Sequence, residues 1–247
     1  MGAVALKALQ SREKLSITEI AGAPITGSLD PQVVFWTSGE PPLGSIPLRV
    51  LPTVHPAFVA RYPLWTRQFR AHVQKAFRFF HGNIRWRDPK YILNPEPSLL
   101  REIIGRFRGS YCVYDIETCP PDHLEGRAAR KHALKPATAL LRCVALGNQH
   151  LAVICFFRTI DGALAMPSDK AGQTMEVLRD FFSDTSIAKA GWNSGGYDCV
   201  VIERYFGILP KPSLDGILLH RLAEPEAPHT LAYAGMSRTD VSAWKEA

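Results

Sequence analysis

The chain is poor in the features that mark several large classes of protein. Its five cysteines, Cys112, Cys119, Cys143, Cys155 and Cys199, are an odd number in 247 residues and lie mostly in apolar, strand-like runs without metal-ligand spacing. That distribution argues against a disulfide framework and for reduced, packed thiols in a cytosolic setting. The longest apolar stretch, Leu140 to Phe157, is broken by Arg142, Asn148 and His150, so no membrane span and no membrane partner are expected. No signal peptide opens the chain, and no internal repeat runs through it. The only compositionally biased segment is a basic one, from Arg127 to Lys135.

What is present is a chain with 46% hydrophobic residues, enough for one large core or two small ones. An acidic excess is also missing: the formal net charge is +6 and the pI about 9.1, which fits a polyanionic partner without requiring one. The positive charge is concentrated between Arg61 and Arg108, where only Asp88, Glu96 and Glu102 oppose eleven basic residues. Trp65, Phe69, Phe77, Phe79, Phe80, Trp86 and Tyr91 are interleaved with them. Such a mixture can grip phosphates and stack on bases, or it can be a basic amphipathic helix whose aromatics are core.

Residues 82–98 gather Gly82, Asp88, Pro89, Asn94, Pro95 and Pro97 without an apolar period and read as a linker. Ahead of it, strands are expected at Val33 to Trp36 and Pro47 to Leu51. A helix is expected from Ala57 to Phe80, with Phe58, Tyr62, Trp65, Phe69, Val73, Phe77 and Phe80 on its apolar face. Behind it, the pattern predicts a short helix at Leu99 to Arg106, a strand at Ser110 to Asp115, and a hairpin of Leu140 to Gly147 with His150 to Arg158. A helix at Lys170 to Phe182, a strand at Ile187 to Trp192, and helices at Tyr197 to Phe206 and Asp215 to Leu222 follow. This alternation describes an α/β layer around a mixed sheet.

Two short acidic motifs stand out in this half. Tyr111 to Thr118 reads Tyr-Cys-Val-Tyr-Asp-Ile-Glu-Thr, and Asn193 to Asp198 reads Asn-Ser-Gly-Gly-Tyr-Asp. Asp115 and Glu117 are two residues apart where an apolar strand is expected to end, so their side chains leave the same face of the backbone. A third carboxylate, Asp198, follows a second apolar run. Carboxylates gathered at strand ends repel one another unless hard cations lie between them, and hard cations prefer oxygen ligands. The arrangement suggests a two-metal site for cleaving phosphodiesters, with Mg2+ or Mn2+ as cofactor. Asn193 can also be a turn or capping residue, Tyr197 a core residue, and Asp215 a helix cap.

In this order, the Asp-x-Glu strand, the hairpin and the Asn-x-x-x-Tyr-Asp helix start resemble the DnaQ-like (DEDD) 3'-5' exonucleases, which have a ribonuclease H-like fold. The resemblance implies that Asp115 contacts both metals, that Glu117 binds the one holding the attacking water, and that Asp198 supports the other. It also implies that Asn193 and Tyr197 serve the substrate. The family's third motif, Tyr-x-x-x-Asp or His-x-x-x-x-Asp, has no counterpart, since Tyr233, His220 and His229 lead to Ser237, Pro225 and Ala234. Asp240 is the only acid of that type near the end, and the stretch from Pro228 to Lys245 is similar to the segment ahead of the third motif in phage-type family A DNA polymerases.

The front of the chain carries a second resemblance. Gly2-Ala3-x-Ala5-x-x-Ala8-Leu9, Ile17-Thr18 and Leu51-Pro52-Thr53-x-His55-Pro56-Ala57 resemble the last part of a uracil-DNA glycosylase. In that family the histidine of the His-Pro loop bonds the flipped base, which implies a substrate-binding role for His55; the alternative is a histidine in an ordinary proline turn. The expected organisation is therefore a partial glycosylase-like α/β region at 1–81, a linker at 82–98, and an exonuclease domain at 99–247 whose third motif falls beyond the chain. The expected partners are DNA, as a single strand or primer 3' end, and a polymerase domain in a longer protein. The alternative functions are a glycosylase-related protein and a catalytically weak DNA-binding module.

Overall fold

The computed structural model describes residues 21–22, 24–29, 34–36, 46–84, 88–121, 126–159, 161–211 and 213–241. Gly2 to Thr18, Trp86 and Ser242 to Lys245, which carry parts of the sequence patterns above, lie outside them. The chain divides into two compact units: residues 1–87 with 220–247, and residues 88–219. Among the described residues, no helix is long and apolar enough to cross a membrane.

The first unit holds β1 (Ile25–Leu29), β2 (Val34–Trp36) and β3 (Ile46–Val50), paired antiparallel in the order β2-β1-β3. Helices α1 (Pro56–Arg61) and α2 (Thr66–Phe80) follow, separated by a 3-10 turn at Pro63–Trp65. Two differences from the sequence reading have clear causes. Pro63 has no amide hydrogen to continue a helix, so the expected single helix breaks there. The buried face of α2 is Gln68, His72, Lys75 and Phe79, while Phe77 and Phe80 are exposed. Lys75 makes that face possible: its ammonium donates to the carbonyls of Met236 and Thr239, both in the C-terminal segment of this unit. The strands of this unit are antiparallel, and a glycosylase-like α/β layer is not shown among its described residues.

The second unit is a six-stranded mixed sheet with flanking helices. It comprises β4 (Lys90–Leu93), α3 (Pro97–Gly105), β5 (Tyr111–Cys119), α4 (Gly126–Ala133), β6 (Leu140–Gly147), β7 (Leu151–Phe156), α5 (Ser168–Ser183), β8 (Ala188–Gly191), α6 (Asp198–Phe206) and β9 (Ser213–Asp215). The strand order is β4-β7-β6-β5-β8-β9. β5, β6 and β7 pair antiparallel, and β8 and β9 continue the sheet parallel to β5. This is the mixed sheet expected of a ribonuclease H-like fold. The segment expected as a linker supplies β4, which pairs parallel with β7. α7 (Gly216–Ala223) begins in this unit, and α8 (Leu231–Arg238) belongs to the first.

Alternation along β5 places Cys112, Tyr114 and Ile116 inside and Tyr111, Val113, Asp115 and Glu117 outside. The inner face packs against Leu100, Ile103 and Ile104 of α3 and Leu178, Phe181 and Phe182 of α5. The Tyr114 ring meets Phe182 edge-on at 5.6 Å, and Phe182 contacts Phe206 of α6 at 5.3 Å. Each large side chain so buried contributes roughly 1.5–3 kcal/mol of transfer free energy, which fixes the register of β5 and hence the face its carboxylates occupy. No disulfide joins the five cysteines; burial pushes Cys112 and Cys155 up to about 12, so these two are packing groups.

Candidate active site

The two acidic motifs lie on adjacent elements of the second unit. Asp115 and Glu117 project from the exposed face of β5, and the pairing with β6 shifts register between Glu117 and Thr118. The strand runs on to Cys119, so the carboxylates sit within it rather than at its end as the sequence suggested. A bulge at this point re-aims the side chains that follow it. β8 lies parallel beside β5, with Val113 opposite Ala190, and delivers the chain into the loop that carries the second motif.

That loop is held by close packing and by one carboxylate. A Cβ on Gly191 would come within 2.5 Å of the Ser194 Cβ, so only glycine allows the turn to fold back here. Asn193 adopts φ 59°, the left-handed conformation that asparagine tolerates better than most residues. Its amide donates to Asp215 Oδ1 at 2.8 Å, and the Gly195 amide donates to Asp215 Oδ2 at 3.1 Å. Asp215 Oδ1 also accepts from the Ile217 amide at 3.0 Å, capping the start of α7. Asp215 is thus the buttress of the loop, in line with the capping alternative, and Asn193 serves through its backbone.

Asp198 opens α6 and is only 7% exposed. Burial is the largest cause of its raised pKa, about 7; the carboxylates of Asp115, Glu117 and Asp215 add to it. Its position in the first turn of the helix is favourable for a negative charge, but does not offset that crowding. Tyr197 stands just before Asp198, and its hydroxyl donates to the Ala133 carbonyl at 2.7 Å. Thr118 Oγ1, beside Glu117, lies 2.6 Å from the Tyr197 hydroxyl and 2.8 Å from the same carbonyl. Arg204 of α6 donates to the carbonyls of Pro136 and Ala139 at 3.0 and 2.6 Å, fastening the segment that follows α4. Thr118 and the α4 connection were not singled out in the sequence; the one available signal was a threonine directly after the second acid of the first motif.

The donor chemistry fits a hard divalent cation. The charges that raise Asp198 are all carboxylates, and a cation among them would relieve the repulsion. Among the described residues, however, no three histidine, cysteine, aspartate or glutamate side chains are gathered into a closed metal cluster. Asp240, the acid nearest the expected third motif, is in the first unit and pairs with Arg78 at 3.1 Å. His55 also belongs to the first unit: its Nδ1 accepts from the Ala57 amide at 3.1 Å and caps α1.

No protein-family model matches the chain, and neither does any curated protein. Among solved structures, it is similar to NrnC of Brucella melitensis at 17% identity, over 63% of this chain and 63% of that one, with a TM-score of 0.43. It is similar to Escherichia coli RNase D, an exoribonuclease involved in structured RNA processing, at 17% identity over 64% and 35% of the two chains, with a TM-score of 0.44. It is similar to the catalytic core of RRP6 from Trypanosoma brucei at 12% identity over 94% and 53%, with a TM-score of 0.43. The chain spans less than two thirds of each of these. Likenesses this distant carry no argument about activity, and the functional reading rests on the site.

Proposed function

We propose that the second unit is a metal-dependent 3'-5' exonuclease domain acting on a single DNA strand or primer 3' end. The observation that carries the reading is the buried Asp198 carboxylate, set by the fold against Asp115 and Glu117 on the neighbouring strand. Two Mg2+ or Mn2+ ions, when bound, supply the Lewis acidity and charge neutralisation that phosphodiester hydrolysis needs. In this reading Asp115, Glu117 and Asp198 would hold the ions, and Asp215 holds the Asn193 turn through its backbone amides. Tyr197 ties the two motifs together through Thr118 and Ala133.

A second reading, a nucleic-acid-binding module without turnover, is favoured by the absence of a closed metal cluster among the described residues. The glycosylase-like reading has no structural observation behind it; what the structure gives for His55 is the helix cap at its Nδ1. A polymerase domain in the same polypeptide likewise has no observation to carry it. The test is Mg2+-dependent shortening of a 5'-labelled DNA strand, with an RNA strand of the same sequence alongside. Shortening that is abolished in Asp115→Ala supports the exonuclease; activity unchanged by that substitution refutes the assignment, and binding without shortening leaves the module.

A further inference from the structure

The first unit contains an open cleft of about 650 Å3 whose lining includes Arg67, Gln68, Arg70, Gln74, Glu224 and Arg238. The charges do not cancel. Glu224 Oε1 is paired with the Arg238 guanidinium, and Glu224 is the only acid in the lining. Arg67 uses one nitrogen to donate to the Ala223 carbonyl at 3.3 Å, a neutral acceptor that leaves its charge uncompensated. Arg70 is exposed and makes no hydrogen bond or ion pair among the described residues. Burial lowers the pKa of Arg238, and the positive charge of Arg67 lowers it further, so the cations are crowded together.

A second observation points to a ligand rather than to a solvated basic face. Gln68 is only 5% exposed, lines the same cleft, and has an Oε1 that is buried without a hydrogen-bond partner. A buried amide oxygen without a partner is costly, and a ligand that brings an N–H or O–H group to it offsets that cost. Pro63 and Leu64 supply an apolar rim, Leu64 being 63% exposed. Guanidinium groups for phosphate, an amide for a base edge and an apolar surface for a base face are the requirements of a nucleotide.

We propose that this cleft binds the phosphate groups of a nucleotide chain, through Arg67 and Arg70, with Gln68 bonding a base edge. The assignment does not depend on the carboxylate site, and its test is run in a chelator, where hydrolysis cannot contribute. A fluorescent short oligothymidylate is titrated with the full chain at several salt concentrations. Arg70→Gln is expected to weaken binding and to flatten the slope of log K against log salt by about 0.7, and the Arg67→Gln, Arg70→Gln pair by about 1.4. Because Arg67 also holds the Ala223 carbonyl, Arg70→Gln alone decides the matter. Gln68→Ala should weaken binding without changing the slope. Displacement by thymidine 5'-monophosphate assigns the site to a single nucleotide unit, and a lack of displacement alongside a flattened slope assigns it to a strand. A slope unchanged in Arg70→Gln, or a polyglutamate that competes as well as unlabelled oligothymidylate, overturns the proposal.

Discussion

The Thr118 and Tyr197 hydroxyl oxygens stand 2.6 Å apart, and both lie within hydrogen-bond distance of the Ala133 carbonyl. Three oxygens share two protons, so one hydroxyl donates to the carbonyl while the other bridges the pair. The two residues are direct neighbours of Glu117 and Asp198, and the carbonyl closes α4, so this contact sets the spacing between the two acidic motifs.

Tyr197→Phe and Thr118→Val each break the bridge and should each cost about 1 kcal/mol of stability. Because they remove the same interaction, the double variant should lose clearly less than the sum, with a coupling of about 0.5 kcal/mol or more. Under the proposed function, nuclease turnover should fall about tenfold in either single variant, with little change in substrate affinity. Urea melts and steady-state kinetics on the four proteins measure both quantities; fully additive losses would deny the bridge.

Asp215→Ala should be damaging although Asp215 is not one of the proposed metal ligands. It strips the acceptor from the amides of Asn193, Gly195 and Ile217 together, at a cost of about 2–3 kcal/mol, and frees the loop that delivers Asp198. Asp215→Asn should be intermediate, since its Oδ1 can still accept from the Asn193 and Ile217 amides while its NH2 group cannot accept from Gly195. Melting temperature and Mg2+-dependent turnover are expected to fall in the order wild type, Asn, Ala.

Acid should destabilise the first unit through His72. Burial, with help from the Lys75 charge, lowers its pKa from 6.5 to about 4, and its Nδ1 is held 3.0 Å from the Thr53 hydroxyl. Between those two values the unfolded chain binds a proton that the folded chain refuses, so stability falls as pH drops through this window and is fully present above about 6.5. The loss should approach about 3 kcal/mol near pH 4. Urea titrations of the wild type and His72→Gln across this range test it: the substitution should remove most of this pH dependence, and an unchanged profile would show that another group is responsible.

The fold around the site was largely legible because periodicity and chemistry agreed. The period-two spacing of Asp115 and Glu117 put both carboxylates on one face of a strand expected at Ser110 to Asp115, and the apolar runs of β6, β7, α5 and α6 were expected as its neighbours. β4 was hidden because prolines and a glycine surround a strand of only four residues. The buried face of α2 was hidden for a different reason. A lysine and a histidine at core positions violate the apolar pattern, and the acceptors that permit Lys75, Met236 and Thr239, are about 160 residues away in sequence. The Thr118 to Tyr197 bridge is long-range in the same sense, and no local pattern announces it.

The central claim is that Asp115, Glu117 and Asp198 support hydrolysis from a free 3' end. It is tested most directly by following the product lengths of a 5'-labelled single strand over time, with Mg2+ and with a chelator, and with its 3' end either free or blocked. The account predicts a ladder shortening one nucleotide at a time, seen only with the metal and the free 3' end. Internal cuts, release of the 5' label, or the same products in the chelator would contradict it.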